Sequence, residues 1–447
     1  MNIDFKTAAK AVGGFTDSDA TFTSVFTDSR HPVDGGLFIA IKGSSFDGHN
    51  FVNKMGENVA GVMVRNDFKT NLPAIYVEDT IEAMLRLSAF YRSQFDIPIV
   101  GLTGSVGKTT TKDMIYCVLS EKFNALKTLG NLNNNIGMPQ TLFRLNNETQ
   151  AAVIEMGMNH KGEISELSKA LRPTIGVITS VGTAHIENLG SRENILKAKL
   201  EILDGMEKGS TLILNGDNDM LRNVYYNDYN IIRTGITDVN ADVTAYDIVS
   251  DECGVSFTIQ AFDESADAKL CVPGHHNIYN ALSAVAVGHS LGISLDEAVR
   301  GLAKYNPEGL RQNIVREDGI TKIIDCYNSN PESAKAALDV LADMPGRKIA
   351  VLGDMLELGT FSKMSHAEVG YHAAARQIDI LYTYGEEALH IANAANLSGI
   401  TDVRSFTECR NLANSIKNEL NEGDNILFKA SRAMNLENVI ELVFGKV

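Results

Sequence analysis

Gly104, Ser105 and Gly107, followed at once by Lys108, Thr109 and Thr110, have the types and spacing to hold a phosphate chain. Glycines let a loop turn its backbone N–H groups toward phosphate, and a helix N-terminus adds positive potential. A lysine ammonium reaches the outer phosphates, and a threonine hydroxyl suits Mg²⁺. The apolar run before the loop (Ile97, Ile99, Val100, Leu102) and the periodic one after it (Met114, Ile115, Val118, Leu119) predict strand, loop and helix in that order. The strict pattern would put another glycine where Leu102 stands, so this is the shorter T-G-S-x-G-K-T form. A plain strand-to-helix turn would not need Lys-Thr directly after its last glycine, and the expected ligand is ATP.

Three more residues could serve a metal near that loop. Glu155 closes the apolar run Val153-Ile154, and a carboxylate just past a buried strand suits Mg²⁺, which prefers oxygen ligands; a helix-capping acid is the plainer alternative. His185 follows the run Ile178 to Gly182, where a loop histidine is ordinarily structural or solvated. Lys199 falls on the apolar stripe formed by Ile195, Ala198, Ile202, Leu203 and Met206, with Lys197 and Glu201 on the opposite face. Periodicity alone predicts that Lys199 snorkels to solvent. If it is buried instead, its pKa falls, and the neutral amine can take up CO₂ as a carbamate, an anionic metal ligand. The asparagines of G-N-L-N-N-N-I-G (Asn131, Asn133, Asn134, Asn135) are costly to order unless their amides are used. His275-His276-Asn277 lacks the helical-turn spacing of a zinc pair and reads equally as a helix cap or a ligand contact.

The elements that must position these groups can be traced along the chain. Residues 1–96 read as a small mixed α/β unit, with apolar runs at 37–41, 59–64 and 74–77. A helix follows from Asp79, with Ile81, Met84, Leu85, Ser88 and Tyr91 on its inner face. Its polar stretches, T-D-S-R at 27–30 and K-G-S-S-F-D-G-H-N-F at 42–51, read as loops. Asp-x-Pro near 96–98 marks a linker. Residues 97–307 then alternate strands (152–155, 175–179, 211–214, 231–234) with helices, which predicts a doubly wound, mostly parallel sheet binding nucleotide at its carboxyl edge. Residues 241–272 predict an antiparallel insert, and 277–291 an amphipathic helix. Tyr305-Asn306-Pro307 marks a second junction. Residues 308–447 restart the alternation, with strands near 320–325, 348–352, 378–382 and 425–429, as a Rossmann-like α/β unit.

A chain of 447 residues with net charge −16 has length for several cores and no basic surface for nucleic acid or anionic membrane. Phosphorylated ligands must therefore be held by local glycines, a few cations and metal. No apolar stretch nears the roughly 20 residues of a membrane span, and the N-terminus has no basic-then-apolar leader. A cytoplasmic monomer is expected. The five cysteines show no C-x-x-C pairing and read as reduced core thiols.

Eight ordered stretches resemble the Mur ligase family: T-G-S-V-G-K-T-T, G-N-L-N-N-N-I-G-M-P, E-M-G-M-N-H-K-G-E-I, G-T-A-H-I-E-N-L-G-S, A-K-L-E, H-N-I-Y-N-A-L, D-C-Y-N-S-N-P-E-S and V-L-G-D-M-L-E-L-G. The last two are similar to the branch that adds D-alanyl-D-alanine to a UDP-N-acetylmuramoyl-tripeptide through an acyl phosphate. No D-N-P-[RK] signature of the branch adding the third residue is found. The resemblance implies three domains, for the UDP end (1–96), ATP (97–307), and the dipeptide with closure over ATP (308–447). It implies that Lys108 holds the outer phosphates, Thr109 one Mg²⁺, and Glu155, His185 and carbamylated Lys199 a second. Asn277 and Asn280 would lie near adenine, and Arg311, Asp325 and Tyr327 near ribose and phosphates. Ser29, Arg30, Lys42, Asp47 and His49 would meet the uridine end, and Asn133 and Asn134 the muramoyl peptide. Asn328, Lys429, Ser431 and Arg432 would lie near the dipeptide, although Ala430 stands where the family commonly has glycine. A related ligase with another acceptor or amine, a phosphotransferase that leaves phosphate on its product, and a nucleotide-regulated binding protein are the competing readings.

Overall fold

The computed structural model describes residues 1–43, 46–56, 58–307 and 309–445. Ser44 and Ser45 of the polar 42–51 loop, and Glu308 at the second predicted junction, lie outside the described residues.

The central sheet has nine strands, in the order Glu264–Leu270, Gly254–Ala261, Val243–Asp251, Asn230–Gly235, Thr211–Asn215, Ile175–Ile178, Ile99–Thr103, Ala151–Glu155 and Ala125–Lys127. The first three are antiparallel, as the 241–272 alternation predicts, and the rest run parallel. Ile99–Thr103 lies between Ala151–Glu155, which follows it in the chain, and Ile175–Ile178, where the winding turns to its other side. Such a reversal leaves a crevice at the strands' carboxyl ends, and Thr103, Glu155 and Ile178 all end there. Ile99, Val100 and Leu102 are wholly buried, each side chain contributing roughly 1.5–3 kcal/mol by leaving water, so the loop that follows stands on a firm strand.

The N-terminal unit is more regular than the mixed arrangement predicted. Ser24–Phe26, Gly36–Ile39, Gly61–Arg65 and Ala74–Val77 pair in that order, all parallel. Asp79 caps the Thr80–Arg92 helix through the N–H groups of Ile81 and Glu82. The buried face of that helix is rotated from the predicted one: Ala83, Met84, Leu87, Ser88, Tyr91 and Arg92 point inward, while Ile81 and Leu85 lie at the boundary. The C-terminal sheet orders Asn313–Glu317, Ile320–Ile324, Asn425–Lys429, Lys348–Gly353, Ile380–Tyr384 and Asp402–Phe406, parallel except for the first pair. Buried side chains of all three units belong to one continuous apolar cluster.

The cysteines correct one expectation. All five are free thiols, but only Cys326 is buried, and Cys253 and Cys271 are exposed. They occupy the rim of the antiparallel insert, where Cys253 turns between two strands and Cys271 follows the last one.

Candidate functional site

The phosphate loop is built from two directions. Gly107, at φ +82°, precedes the Lys108–Leu119 helix in the left-handed region, and a Cβ there would come within 2.6 Å of Asn280 Oδ1. At Gly104 a Cβ would stand 1.8 Å from Thr179 Oγ1, so the glycine spacing is a packing requirement of this crevice. The segment after Ile175–Ile178 grips the loop. Ser105 N–H donates to Ser180 O (2.9 Å), Val106 N–H to Ser180 Oγ (3.1 Å), and Gly182 N–H to Ser105 Oγ (2.9 Å). The first-turn N–H groups of Lys108, Thr109 and Thr110 have no intrahelical acceptor and face the crevice mouth. Lys108 Nζ donates to Gly104 O at 2.8 Å. Burial lowers its pKa, with Glu155 opposing the shift and Arg311 adding to it.

Thr109 Oγ1 donates to Glu155 Oε2 (3.0 Å), and Asn133 Nδ2 donates to Oε1 of the same carboxylate (2.9 Å). Glu155 is the last residue of its strand and almost wholly buried, so it caps no helix. A hydroxyl and a carboxylate side by side at a phosphate loop form an oxygen donor set that fits Mg²⁺. His185, at φ +63°, enters the same cavity, and its Nδ1 lies 2.6 Å from Glu357 Oε2, off the line of a good hydrogen bond.

Lys199 corrects the snorkelling expectation. Its helix, Arg192–Leu200, tightens into a 3₁₀ turn at Glu201–Gly205, and Ile195, Ala198 and Ile202 are fully buried beside it. The lysine itself is 1% exposed and takes part in no ion pair among the described residues. Burial, and secondarily the charge of Lys108, holds its pKa well below the ordinary value. Lys199 stands behind the cavity wall, whereas Glu155 and His185 line it. Among the described residues there is no group of three or more His, Cys, Asp or Glu placed to hold a metal ion.

The cavity encloses about 630 Å³ between the central and C-terminal units. Arg311, Asp325, Tyr327, Asn328 and Lys429 line it from the C-terminal unit, and Asn133, Asn134 and Asn280 from the central one. Arg311 lies over the Tyr327 ring at 4.0 Å. Lys429 Nζ donates to Asp325 Oδ2 (2.7 Å) and to Asn328 O (3.0 Å). Asn277 Nδ2 donates to Pro273 O (2.9 Å), and Asn280 Nδ2 to Asn277 Oδ1 (3.2 Å). Asn134 Oδ1 accepts from Ile136 and Gly137 N–H, so that side chain shapes its own turn.

Besides Lys199, Gly104 and Asn277, which do not line this cavity, seven more predicted residues lie off it. Ser29 and Arg30 sit on an exposed turn, with Arg30 clamped to Asp28. Lys42 bridges Asp47 through the backbone. Asp47 holds His49 by both its N–H (3.0 Å) and Nδ1 (2.6 Å), and His49 Nε2 accepts from Arg65 N–H (3.1 Å). Both ring nitrogens of His49 are thus engaged within the protein. Ser431 is buried and accepts from Leu356 N–H at 2.9 Å, while Arg432 pairs outward with Glu437. The Ala430 methyl fills the space where a Cβ on Gly353 would fall, so here glycine and alanine meet at the ends of two paired strands.

Three residues that sequence reasoning missed join the units. Gln312 Nε2 donates to Pro273 O (2.6 Å), and its Oε1 accepts from Asn277 Nδ2 and His276 Nε2 (both 3.0 Å). Glu332 accepts from Thr183 N–H (2.9 Å) and Oγ1 (3.1 Å). Glu357 meets His185. Position beside Arg311 and inside two quoted motifs was the only signal available for them.

The chain matches the model of the Mur ligase middle domain over residues 102–288 and that of the Mur ligase glutamate ligase domain over 310–432. It is similar to the UDP-N-acetylmuramoyl-tripeptide–D-alanyl-D-alanine ligase of Bacillus subtilis, 38% identical over 93% of this chain and 92% of that one. Among solved structures it is similar to a MurF crystal structure from Acinetobacter baumannii (TM-score 0.93, 32% identity, 100% and 99% of the two chains). It is also similar to the Thermotoga maritima MurF ligase in complex with ADP (TM-score 0.85, 28% identity, 94% and 96%).

Proposed function

The chain belongs to the Mur ligase family, and from that membership we infer that it is an ATP-dependent ligase joining D-alanyl-D-alanine to UDP-N-acetylmuramoyl-tripeptide in peptidoglycan synthesis. The observation that carries this reading is the cavity itself. A phosphate loop faces Arg311, Asp325 and Lys429 of a second α/β unit across it, so nucleotide, carboxylate and amine can meet between two units.

A carboxylate is a poor acceptor for an amine. A carboxylate oxygen of the tripeptide attacks the γ-phosphorus of ATP, and the bond to the β–γ bridging oxygen breaks, giving acyl phosphate and ADP. The dipeptide amine then attacks the acyl carbon, loses a proton and expels inorganic phosphate as the peptide bond forms. Two unit negative charges about 4 Å apart repel by roughly 1 kcal/mol in water and roughly 4 at an effective dielectric of 20. The protein must therefore bring positive charge to the point of transfer. Lys108 and the first-turn N–H groups supply part of it.

Thr109 and Glu155 are the donors that would hold a first Mg²⁺, and Glu155, His185 and carbamylated Lys199 a second; bound there, Mg²⁺ would neutralise phosphate and carboxylate charge together. The buried, unpaired amine of Lys199 suits carbamate formation, in which Lys–NH₂ and CO₂ give Lys–NH–COO⁻ and a proton. Asn277 and Asn280 serve the adenine end, Arg311, Asp325 and Tyr327 the ribose and phosphates, and Asn133 and Asn134 the muramoyl peptide. Asn328, Lys429, Ser431 and Arg432 serve the dipeptide, and Ser29, Arg30, Lys42, Asp47 and His49 the uridine end. In this reading the domain limits are 1–96, 97–307 and 308–447. The protein works as a cytoplasmic monomer, and no helix among the described residues is long and apolar enough to cross a membrane.

Product analysis tests the reaction: ADP, phosphate and pentapeptide precursor should form only when both peptide substrates are present, and a stable phosphorylated product would overturn it. For Lys199, Lys199→Ala should abolish ligation, and an excess of a short carboxylic acid should partly restore it. Full activity in the unrescued variant would remove the carbamate.

A further inference from the structure

The loop 182–190 touches both the phosphate loop and the C-terminal unit, and its side-chain ties to the latter come from two carboxylates, beside a backbone bond and the packing of Gly359 on Glu187. On one side, Gly182 N–H donates to Ser105 Oγ at 2.9 Å, and Arg192 holds Val181 O at 2.9 Å while pairing with Asp219. Those ties are internal to the central unit. On the other side, Glu332 accepts from Thr183 N–H and Oγ1 and packs so closely that a Cβ on Gly182 would stand 2.7 Å from its carboxyl carbon. Two residues further on, Glu357 reaches His185 Nδ1 at 2.6 Å, and its carbonyl accepts from Glu187 N–H at 3.2 Å.

The backbone marks the second contact as built. His185 and Glu357 both have φ +63°, which costs a non-glycine residue of order 1 kcal/mol or more unless the surroundings hold it. Each strained residue faces the other across the boundary. Glu357 is itself braced within its unit, since Met355 N–H donates to His366 Nε2 and Leu356 N–H to Ser431 Oγ, both at 2.9 Å. Glu332 is the second residue of the Pro331–Ala342 helix, whose N-terminus is already closed by Asn330 and Ser333. Its carboxylate is therefore free to serve the facing loop.

We propose that Glu332 and Glu357 are positioning residues that clasp the C-terminal unit onto loop 182–190, so that His185 and the Ser105 side of the phosphate loop take their working shape only in the docked state. Neither glutamate needs to touch a reacting atom. Removing a carboxylate from a docked pair leaves Thr183 or His185 without its partner, and the loop relaxes while the fold of each unit stands. The proposal rests on the ligase reading for its kinetic consequence but not for its structural one.

The test compares the full chain with Glu332→Ala, Glu357→Ala and the double variant, with Glu357→Gln as the conservative control. Amide hydrogen exchange is followed with Mg²⁺ and a non-hydrolysable ATP analogue and no peptide substrate, so the reading holds whatever the acceptor proves to be. In the double variant, exchange in 182–190 should rise at least about tenfold while that of 151–155 stays at the parental rate. kcat for ligation should fall about tenfold per clasp, with the KM for the UDP-tripeptide changing less than threefold, and Glu357→Gln should recover part of the loss. Parental exchange in 182–190 of the double variant would overturn the proposal, as would loss of protection spread evenly over the central sheet. Should the double variant fail to fold, Glu357→Ala alone, at a half-exposed loop position, decides the His185 arm on the same two readouts. A parent enzyme that joins no peptide but keeps the exchange difference would refute the ligase reading and leave the clasp intact.

Discussion

The central unit meets its two neighbours in different ways. Toward the N-terminal unit the ties are buried or partly so and end on main-chain carbonyls: Arg92 donates to Leu171 O (2.6 Å) and Arg172 O (3.2 Å), and Tyr91 Oη to Leu145 O (2.7 Å), while Arg92 also holds Phe95 O (2.8 Å) within its own unit. Toward the C-terminal unit they hang mainly on three side chains of that unit at or beside the cavity, with Glu332 on Thr183 N–H and Oγ1, Glu357 by His185, and Gln312 on Pro273 O, Asn277 and His276. Carbonyls that lose a buried partner stay unsatisfied, whereas groups at a cavity wall can turn to water or ligand. The first junction is a permanent seam and the second is one that can be remade, as a reaction with two bound peptides and ATP requires.

The largest effect should come from breaking the seam. Arg92→Ala strands three carbonyls and empties a buried site, and should lower the stability of the joined N-terminal and central units by about 3 kcal/mol or more. Burial also lowers the Arg92 pKa, with the charge of Arg172 adding to it and those of Asp96 and Glu207 opposing it. Urea denaturation measures the loss; if the variant keeps parental stability but loses ligation, the seam is a functional joint and the contrast fails.

Gln312→Ala should do the reverse. It removes the bonds from the C-terminal unit to Pro273, His276 and Asn277, and should raise the KM for ATP about tenfold, equivalent to about 1.4 kcal/mol, with the urea midpoint unmoved. A shifted midpoint with unchanged KM would make this contact part of the fold.

The seam and the clasp also differ in how far the sequence revealed them. The phosphate loop, Glu155 and the alternating strands were legible because each is written in consecutive residues whose period or spacing follows from one local geometry. The burial of Lys199 was half legible: its stripe was visible, but whether the stem could reach solvent depends on how deeply Ile195 and Ile202 pack. Arg92 carries no local signal, because its acceptors in the central unit lie about eighty residues away. Gln312, Glu332 and Glu357 were hidden for the same reason, since each has its partner in another unit. His49 was hidden in the opposite sense: only the family resemblance made it a ligand contact, and its engagement by Asp47 and Arg65 is a tertiary fact.

Tyr91→Phe is a milder cut at the seam. It deletes one hydroxyl bonded to Leu145 O and keeps the ring that packs edge-on against Phe95 at 5.1 Å. Stability should fall by about 1 kcal/mol with kcat and KM unchanged, and a kinetic change would blur the division between the two junctions.

Asp217 asks whether chemistry or location makes a contact exchangeable. Like Glu332 it is a carboxylate taking N–H and hydroxyl donors: Ile236 and Asp238 N–H (both 2.7 Å), Thr237 Oγ1 (2.8 Å) and Tyr279 Oη (2.9 Å). Unlike Glu332, it has all its partners within the central unit. Burial alone would raise its pKa, but the donors from Thr237 and Ile236 outweigh burial and leave it lowered. A lowered folded pKa means that the unfolded chain binds a proton first as pH falls. The stabilisation is therefore complete above the unfolded value near pH 4 and drains away as pH drops through the folded one. Asp217→Asn should cost less than about 1 kcal/mol at pH 7, and the gap between variant and parent should close as pH is lowered from 5 toward 3, with ligation kinetics at neutral pH unmoved. If the variant instead showed the kcat loss expected of Glu332→Ala, a carboxylate ringed by donors would be exchangeable wherever it sits, and the distinction between seam and clasp would rest on chemistry rather than on which units are joined.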